Sequence, residues 1–330
     1  MLTTRFTQLV GCSAPIQQAA IGSLSNPPLA AAVSNAGGLG MMAVYGAPPA
    51  EVEDALKKLR TLTTAPIGVN FILNFMDPGQ VRECVSAAAA AQVIEFFYSD
   101  PDQSLVAQIH EVGALACWQV GSRDEAAAAA DAGCDFIVAQ GIEAGGHVRG
   151  RIGLLPLLDQ VLKAVRVPVL AAGGIGTGRA MAAALSAGAD GVRVGTRFVA
   201  AVEAGAHPEY LDALFRAEAE DTVLTETFSA NWPGAPHRCL RASVEAALAC
   251  PDEIIAEGVD EETGTTFPIR RLHSISPRRS MRGNIAAMPH WAGESVGGVT
   301  RVQPAAEIVR ELMQEAEQLL ERAGKAADRS

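Results

Sequence analysis

Basic residues are in short supply: 26 Lys and Arg stand against 37 Asp and Glu, a formal net charge of −11 over 330 residues. Such a chain has no general basic face for nucleic acid or an anionic membrane surface. Cysteine is sparse and scattered, and its six positions (Cys12, Cys84, Cys117, Cys134, Cys239, Cys250) contain no Cys-x-x-Cys pair. That spacing argues against a disulfide framework and against a zinc site, and suits reduced, mostly buried thiols. Long apolar runs are missing as well. The alanine stretches Ala87–Ala91 and Ala126–Ala130 are flanked by charges and too short to cross a bilayer, and Met1–Phe6 lacks the apolar core of a secretory signal. The expectation is a cytoplasmic protein with no metal.

What is there reads as a globular enzyme: 49% hydrophobic residues, 19% charged, 32 Gly and 18 Pro, wrong for a disordered, collagen-like or coiled-coil chain. Short apolar runs alternate with longer, Ala-rich helical stretches. The runs are Pro15–Gln18, Leu39–Ala43, Ile67–Phe71, Val93–Phe97, Leu115–Gln119, Phe136–Gln140, Val167–Ala171 and Gly191–Val194. Their starts lie about 25 residues apart, one βα unit each. Helices are expected over Glu51–Thr61, Val81–Ala91, Ser122–Ala132, Leu154–Val165 and Gly178–Ala187. Two of them end in the same punctuation, Ala-Gly-Cys-Asp135 and Ala-Gly-Ala-Asp190, a glycine stop before a strand. Eight units favour an α/β fold of the (β/α)8 barrel type over a doubly wound open sheet. The pattern changes after Arg197. Residues 1–207 are assigned to the barrel and 208–330 to a helical appendage packed on it. In the appendage, 208–256 read as helices joined by Trp232–His237, a polar Arg-rich stretch follows, and Pro304–Ala326 closes as one helix.

Barrel enzymes react at the C-terminal ends of their strands, which makes three loops the places to look. Ala172-Gly173-Gly174-Ile-Gly176, with Gly195-Thr196-Arg197, falls after strands seven and eight, where barrel phosphate sites form. Glycines there let backbone N–H groups crowd round an anion, although tight turns also need glycine. A dinucleotide fingerprint fits poorly, because Gly174-Ile-Gly-Thr-Gly178 has the wrong spacing. Asn70 and Gln140 end apolar strands with an amide, suited to a heteroaromatic edge or to a simple turn cap. His147, between Gly145-Gly146 and Val148, is the candidate catalytic residue: its imidazole can take a proton, and its cation can hold an anion. Glu143 either orients it or caps the loop. His110, His207, His237, His273 and His290 are read as structural. The basic cluster Arg270, Arg271, Arg278, Arg279 and Arg282 either docks an acidic or phosphorylated partner or pairs with acidic helices.

These residues make the sequence resemble the nitronate monooxygenase family, formerly the 2-nitropropane dioxygenases, which are FMN-dependent barrels. The matching runs are Pro15-Ile-Gln-Gln18, Ala30–Gly40, Gly68-Val-Asn-Phe71, Gln140–His147, Ala171–Ile175, Ala187–Phe198 and Ala292–Gly297. The resemblance implies FMN held by Asn70, Gln140, Gly145, Gly174 and the run Arg193, Val194, Gly195 and Thr196, with Gly173 in the same phosphate loop. It implies His147 beside the flavin ring, either deprotonating a nitroalkane or positioning a nitronate. The implied reaction is oxidation of an alkyl nitronate by molecular oxygen to a carbonyl compound and nitrite, in a possible homodimer. The sequence departs from the family at Val148-Arg149-Gly150, Arg193, Glu294 and Ala19-Ala20. A flavin-dependent enoyl-acyl-carrier-protein reductase or NAD(P)H:quinone reductase of the same superfamily is the rival. A phosphate-ligand barrel without flavin, or a flavin binder without turnover, is the alternative from a different class.

Overall fold

Alternation of apolar residues through each short run is what lets eight of them close on themselves. The computed structural model describes residues 2–259 and 264–327. Its first strands are β1 (Ile16–Gln18), β2 (Gly40–Ala43), β3 (Ile67–Ile72), β4 (Val93–Phe97), β5 (Leu115–Val120), β6 (Phe136–Gln140), the two-residue β7 (Gly146–His147), β8 (Val169–Ala172) and β9 (Gly191–Val194). All but β7 form one parallel sheet in the order β1-β9-β8-β6-β5-β4-β3-β2. A parallel bridge between Gln17 and Leu39 joins its two ends. The eight expected strands are therefore the eight barrel strands, each within two residues of its expected bounds.

Pleating sends alternate residues to opposite sides of the barrel wall. On β4, Ile94 and Phe96 belong to the layer shared with the surrounding helices, while Val93 packs in the barrel interior with Cys117, Phe136, Val138 and Leu170. The helix Arg5–Val10 plugs the lower end, its Phe6 ring edge-on to Phe136 at 5.3 Å. Outside, the helix Leu154–Ala164 buries Leu157, Leu158 and Val161 completely, each worth roughly 1.5–3 kcal/mol.

The repeated punctuation has a mechanical meaning. Gly133 and Gly188 take the left-handed φ values of 97° and 102° that end their helices. The aspartate two residues on then reaches the neighbouring strand. Asp135 accepts from the Ala116 N–H at 2.7 Å, and Asp190 from the Val169 N–H at 3.0 Å. Asp190 also receives Arg5, at 2.8 and 2.6 Å.

Over residues 208–256 the expectation of helices holds at Pro208–Phe215 and Arg241–Ala249 and fails at the strands between and just after them, and the expected closing helix is present. Past residue 207 lie β10 (Thr222–Thr225), β11 (His237–Leu240), β12 (Ile254–Val259), β13 (Thr266–Arg270) and β14 (Arg282–Gly283). They build two small sheets, β10-β11-β7 and β13-β12-β14. The expectation failed because these strands are set by cross-strand partners rather than by local preference. The closing helix runs Ala305–Ala327 and packs closely on Gly178–Ser186. A Cβ on Gly178 would stand 2.4 Å from that of Glu315. The six cysteines are free thiols. Among the described residues no helix is long and apolar enough to cross a membrane, and no group of three or more metal-ligating side chains gathers.

Candidate active site

One cavity of about 460 Å³ opens over the C-terminal ends of the barrel strands. Asn70, Gln140, Gly145, His147, Gly173, Gly174, Arg193, Gly195 and Thr196 all line it. Val194 does not. The pleat that aims Arg193 inward turns Val194 out into the helix layer, where it is fully buried.

The end beneath β8 and β9 is a backbone cradle. Gly173 and Gly174 hold φ of 104° and 68°, conformations costly for other residues. A Cβ on Gly173 would also stand 3.0 Å from the Gly141 carbonyl oxygen. Gly145 is required for another reason: a Cβ there would meet the Gly293 nitrogen at 2.4 Å. The Thr196 hydroxyl accepts from the Gly293 N–H at 3.0 Å, which fastens the Ala292–Gly297 run over the cradle. Space kept clear by backbone alone, beside exposed N–H groups, is what an anionic group such as phosphate needs.

The floor is polar and tied together by side-chain hydrogen bonds. Glu95, absent from the expected site residues, is 0% exposed at the centre of β4. It receives the Asn70 side-chain N–H at 2.7 Å, the Gln17 amide at 3.4 Å, the Cys117 thiol at 3.5 Å and one N–H of Arg193. Arg193 donates its other N–H groups to Gln17, at 3.1 Å, and to Gln119. Sequence did carry a signal: Glu95 interrupts the apolar Val-Ile-Glu-Phe-Phe run directly opposite Asn70 in the β3–β4 register. Gln140 lines the cavity, but both ends of its amide serve the next loop. It donates to the His147 carbonyl at 3.0 Å and accepts from the Arg149 N–H at 3.4 Å.

The roof is aromatic. The His147 ring lies 4.0 Å from that of Trp232 at 32°, with Trp291 at 5.6 Å, His237 at 5.3 Å and Tyr98 at 6.1 Å. Its Nε2 is buried with no hydrogen-bond partner. Burial, reinforced by nearby His237, lowers its pKa to about 3, so at neutral pH it is an uncharged imidazole. His237 sits opposite His147 in the β7–β11 pairing but is committed. Its Nδ1 contacts the Ala235 carbonyl at 2.9 Å, and its Nε2 accepts from the Phe228 N–H at 3.1 Å. Tyr98 and Leu272, the two non-glycine residues of the described set with positive φ (66° and 64°), both adjoin this region. Leu272 precedes His273, which lines the cavity with its Nδ1 buried and unpartnered. The Ser23 hydroxyl, also on the cavity, is equally unpartnered. Expecting His273 to be purely structural missed this placement.

The remaining histidines have ordinary duties. His110 pairs with Asp135 at 2.9 Å, His207 caps the helix Pro208–Phe215, and His290 contacts the Ile285 carbonyl and stacks on Tyr210. Glu143 caps: its carboxylate receives the Leu154 N–H at 2.8 Å, at the start of the helix Leu154–Ala164. The charged departures from the family pattern each have a partner. Arg149 reaches Glu125 at 2.7 Å and Asp100, Glu294 meets Arg238 at 3.2 Å, and Arg193 meets Glu95. None of Arg270, Arg271, Arg278, Arg279 and Arg282 lines the cavity, and Arg270 pairs with Glu253.

A family model described as nitronate monooxygenase matches residues 3–315. The chain belongs to the nitronate monooxygenase family. It is thereby an oxidoreductase of a flavin-dependent kind. A nitronate monooxygenase of Pseudomonas aeruginosa is 33% identical over 95% of this chain and 99% of its own length. A (3aS,4S,5R,7aS)-5-hydroxy-7a-methyl-1-oxo-octahydro-1H-indene-4-carboxyl-CoA dehydrogenase of Rhodococcus jostii is 36% identical over 75% of this chain and 68% of its own. Among solved structures, FabK from Thermotoga maritima superposes with a TM-score of 0.82 at 30% identity, covering 99% of this chain and all of that one. Nitroalkane oxidase from Streptomyces ansochromogenes gives 0.74 at 29%, covering 98% and 100%.

Proposed function

We propose that the protein binds FMN and oxidises alkyl nitronates with molecular oxygen to a carbonyl compound and nitrite. The observation that carries this reading is His147: an uncharged imidazole with a buried, unpartnered Nε2, held in an aromatic enclosure over a cavity whose far end is lined by Gly173, Gly174 and Gly195. Gly173, Gly174, Gly195 and Thr196 hold the phosphate, and Asn70 and Arg193 meet the polar edge of the ring. Bound there, FMN supplies the electron acceptor that the side chains lack.

His147 acts as a positioning hydrogen-bond donor. A base whose pKa is held near 3 is too weak to pull a proton from a carbon acid at neutral pH, where an effective base has its pKa near the working pH. The substrate is therefore taken as the nitronate, already deprotonated, and a neutral N–H of His147 holds its nitro oxygen. Gln140 fixes the His147 loop by its bond to the His147 carbonyl. Trp232 and Trp291 exclude water around the imidazole, which strengthens that single hydrogen bond.

A second reading, NAD(P)H-dependent reduction through the same flavin, is favoured by the 36% identity to the carboxyl-CoA dehydrogenase. An anaerobic absorbance scan separates the two. Propyl nitronate without NAD(P)H is expected to remove the oxidised flavin band. A band untouched by nitronate and bleached by NAD(P)H overturns the first reading in favour of the second.

A further inference from the structure

Among the described residues Glu95 is the one carboxylate with no exposure at all, and nothing in the nitronate chemistry above employs it. An isolated charge in that position would be prohibitive, so its partners define what it is for. Arg193 supplies the countercharge. In every contact of its two carboxyl oxygens, with Arg193, Asn70, Gln17 and Cys117, Glu95 is the acceptor. The group that Asn70 turns toward it, at 2.7 Å, must therefore be the N–H2 end of the amide. The Asn70 carbonyl oxygen is left for the cavity that Asn70 lines. An asparagine free to flip offers either end to a ligand; this one offers only an acceptor.

We propose that Glu95 is a positioning residue of the cofactor site, fixing Asn70 with its acceptor outward and balancing the charge of Arg193. The floor then presents one acceptor and one cation side by side. That pair matches the edge of a uracil-like ring, in which a ring N–H lies beside a carbonyl oxygen. The inference rests on the flavin reading and deepens it, because it says which edge of the ring faces Asn70 and Arg193. It also gives Arg193 a role that an amide at that position could not fill. Reduction of a flavin adds negative charge to the ring, and a cation beside it favours the reduced form. Glu95 tempers that effect.

The test is the FMN dissociation constant and the flavin midpoint potential of wild type, Glu95→Gln, Arg193→Gln and the double variant. Glu95→Gln is expected to weaken FMN binding at least tenfold, since a glutamine lets Asn70 flip, and to raise the potential, since Arg193 loses its counter-ion. Arg193→Gln is expected to lower the potential. A tenfold change in the relative affinity for the two redox forms corresponds to about 30 mV for a two-electron couple. Opposite signs support the proposal, because a merely structural pair has no reason to split them. Potentials that move together, or stay at the wild-type value with FMN affinity unchanged, overturn it. Should Glu95→Gln fail to fold, Glu95→Gln/Arg193→Gln removes both charges at once. A folded double variant that binds FMN tenfold more weakly than Arg193→Gln supports the role of Glu95 on Asn70, and affinity equal to that of Arg193→Gln overturns it. A wild-type protein that takes up no FMN at all removes the cofactor reading and this inference with it, and is recognised before any variant is made.

Discussion

The floor and the roof of the cavity face the same space under opposite rules. On the floor, Gln17, Asn70, Glu95, Gln119 and Arg193 engage one another in a closed set of hydrogen bonds. Around the rim and roof, His147 Nε2, His273 Nδ1 and the Ser23 hydroxyl are buried with no partner. A buried polar atom left alone costs about 1–3 kcal/mol, so the rim and roof carry a cost that the floor does not. The floor has its side chains locked in place by one another; the roof has polar atoms that no neighbour holds.

Substitutions at the roof and at the cradle should therefore fail in different ways. His147→Ala is expected to lower kcat/KM by about a thousandfold, within the range for loss of one buried hydrogen-bond donor to an anionic group, while flavin content stays at the wild-type level. Equal loss of both in absorbance and turnover assays would make the roof part of the cofactor site and erase the contrast. Gly174→Val, at the cradle, should show the reverse, a folded protein that no longer retains flavin, because a branched side chain is forced onto a left-handed backbone. A fully flavinated variant would sink the phosphate assignment.

Acid sharpens the contrast through stability. His147 and His290 are held neutral by burial, with pKa lowered to about 3 and about 4, so the unfolded chain binds more protons than the folded one below the ordinary histidine value. Stability from these two groups is complete above pH 6.5 and falls as the pH drops, by up to about 1.4 kcal/mol per pH unit for each. Denaturant midpoints of wild type and His147→Asn between pH 7 and pH 4.5 should converge as acid is added. Parallel curves would mean that His147 is more exposed than its aromatic neighbours suggest. The smallest effect is expected away from the cavity. Arg278→Glu/Arg279→Glu should leave turnover of a small nitronate within twofold, and a large loss would bring that basic segment into the site.

The barrel was legible from sequence because its grammar repeats. Gly133 and Gly188 stop helices, Asp135 and Asp190 tie adjacent strands, and each apolar run supplies one strand. The glycine cradle was readable for the same reason, since a left-handed turn demands its residue type. Val194 was misplaced by taking a continuous run of site residues where a pleated strand exposes only every second one to the cavity. Glu95 and the aromatic roof were harder. A buried carboxylate declares itself only through partners such as Arg193, which lies 98 residues away. Trp232, Tyr98 and Trp291 come from three separate loops that no local pattern connects. Strands β10 and β11 escaped because each owes its extension to the other and to the two residues of β7.

The bond from Gly293 to Thr196 has a consequence for the order in which the protein is made. Trp291 and Ser295 line the cavity, and Arg197 clasps Gln303 and Glu311 in the stretch that follows. A chain emerging from the ribosome thus completes its last barrel strand about a hundred residues before the lining of its cavity is whole. Cofactor capture belongs to the finished polypeptide, and synthesis halted before residue 293 yields a barrel with its workplace left unroofed.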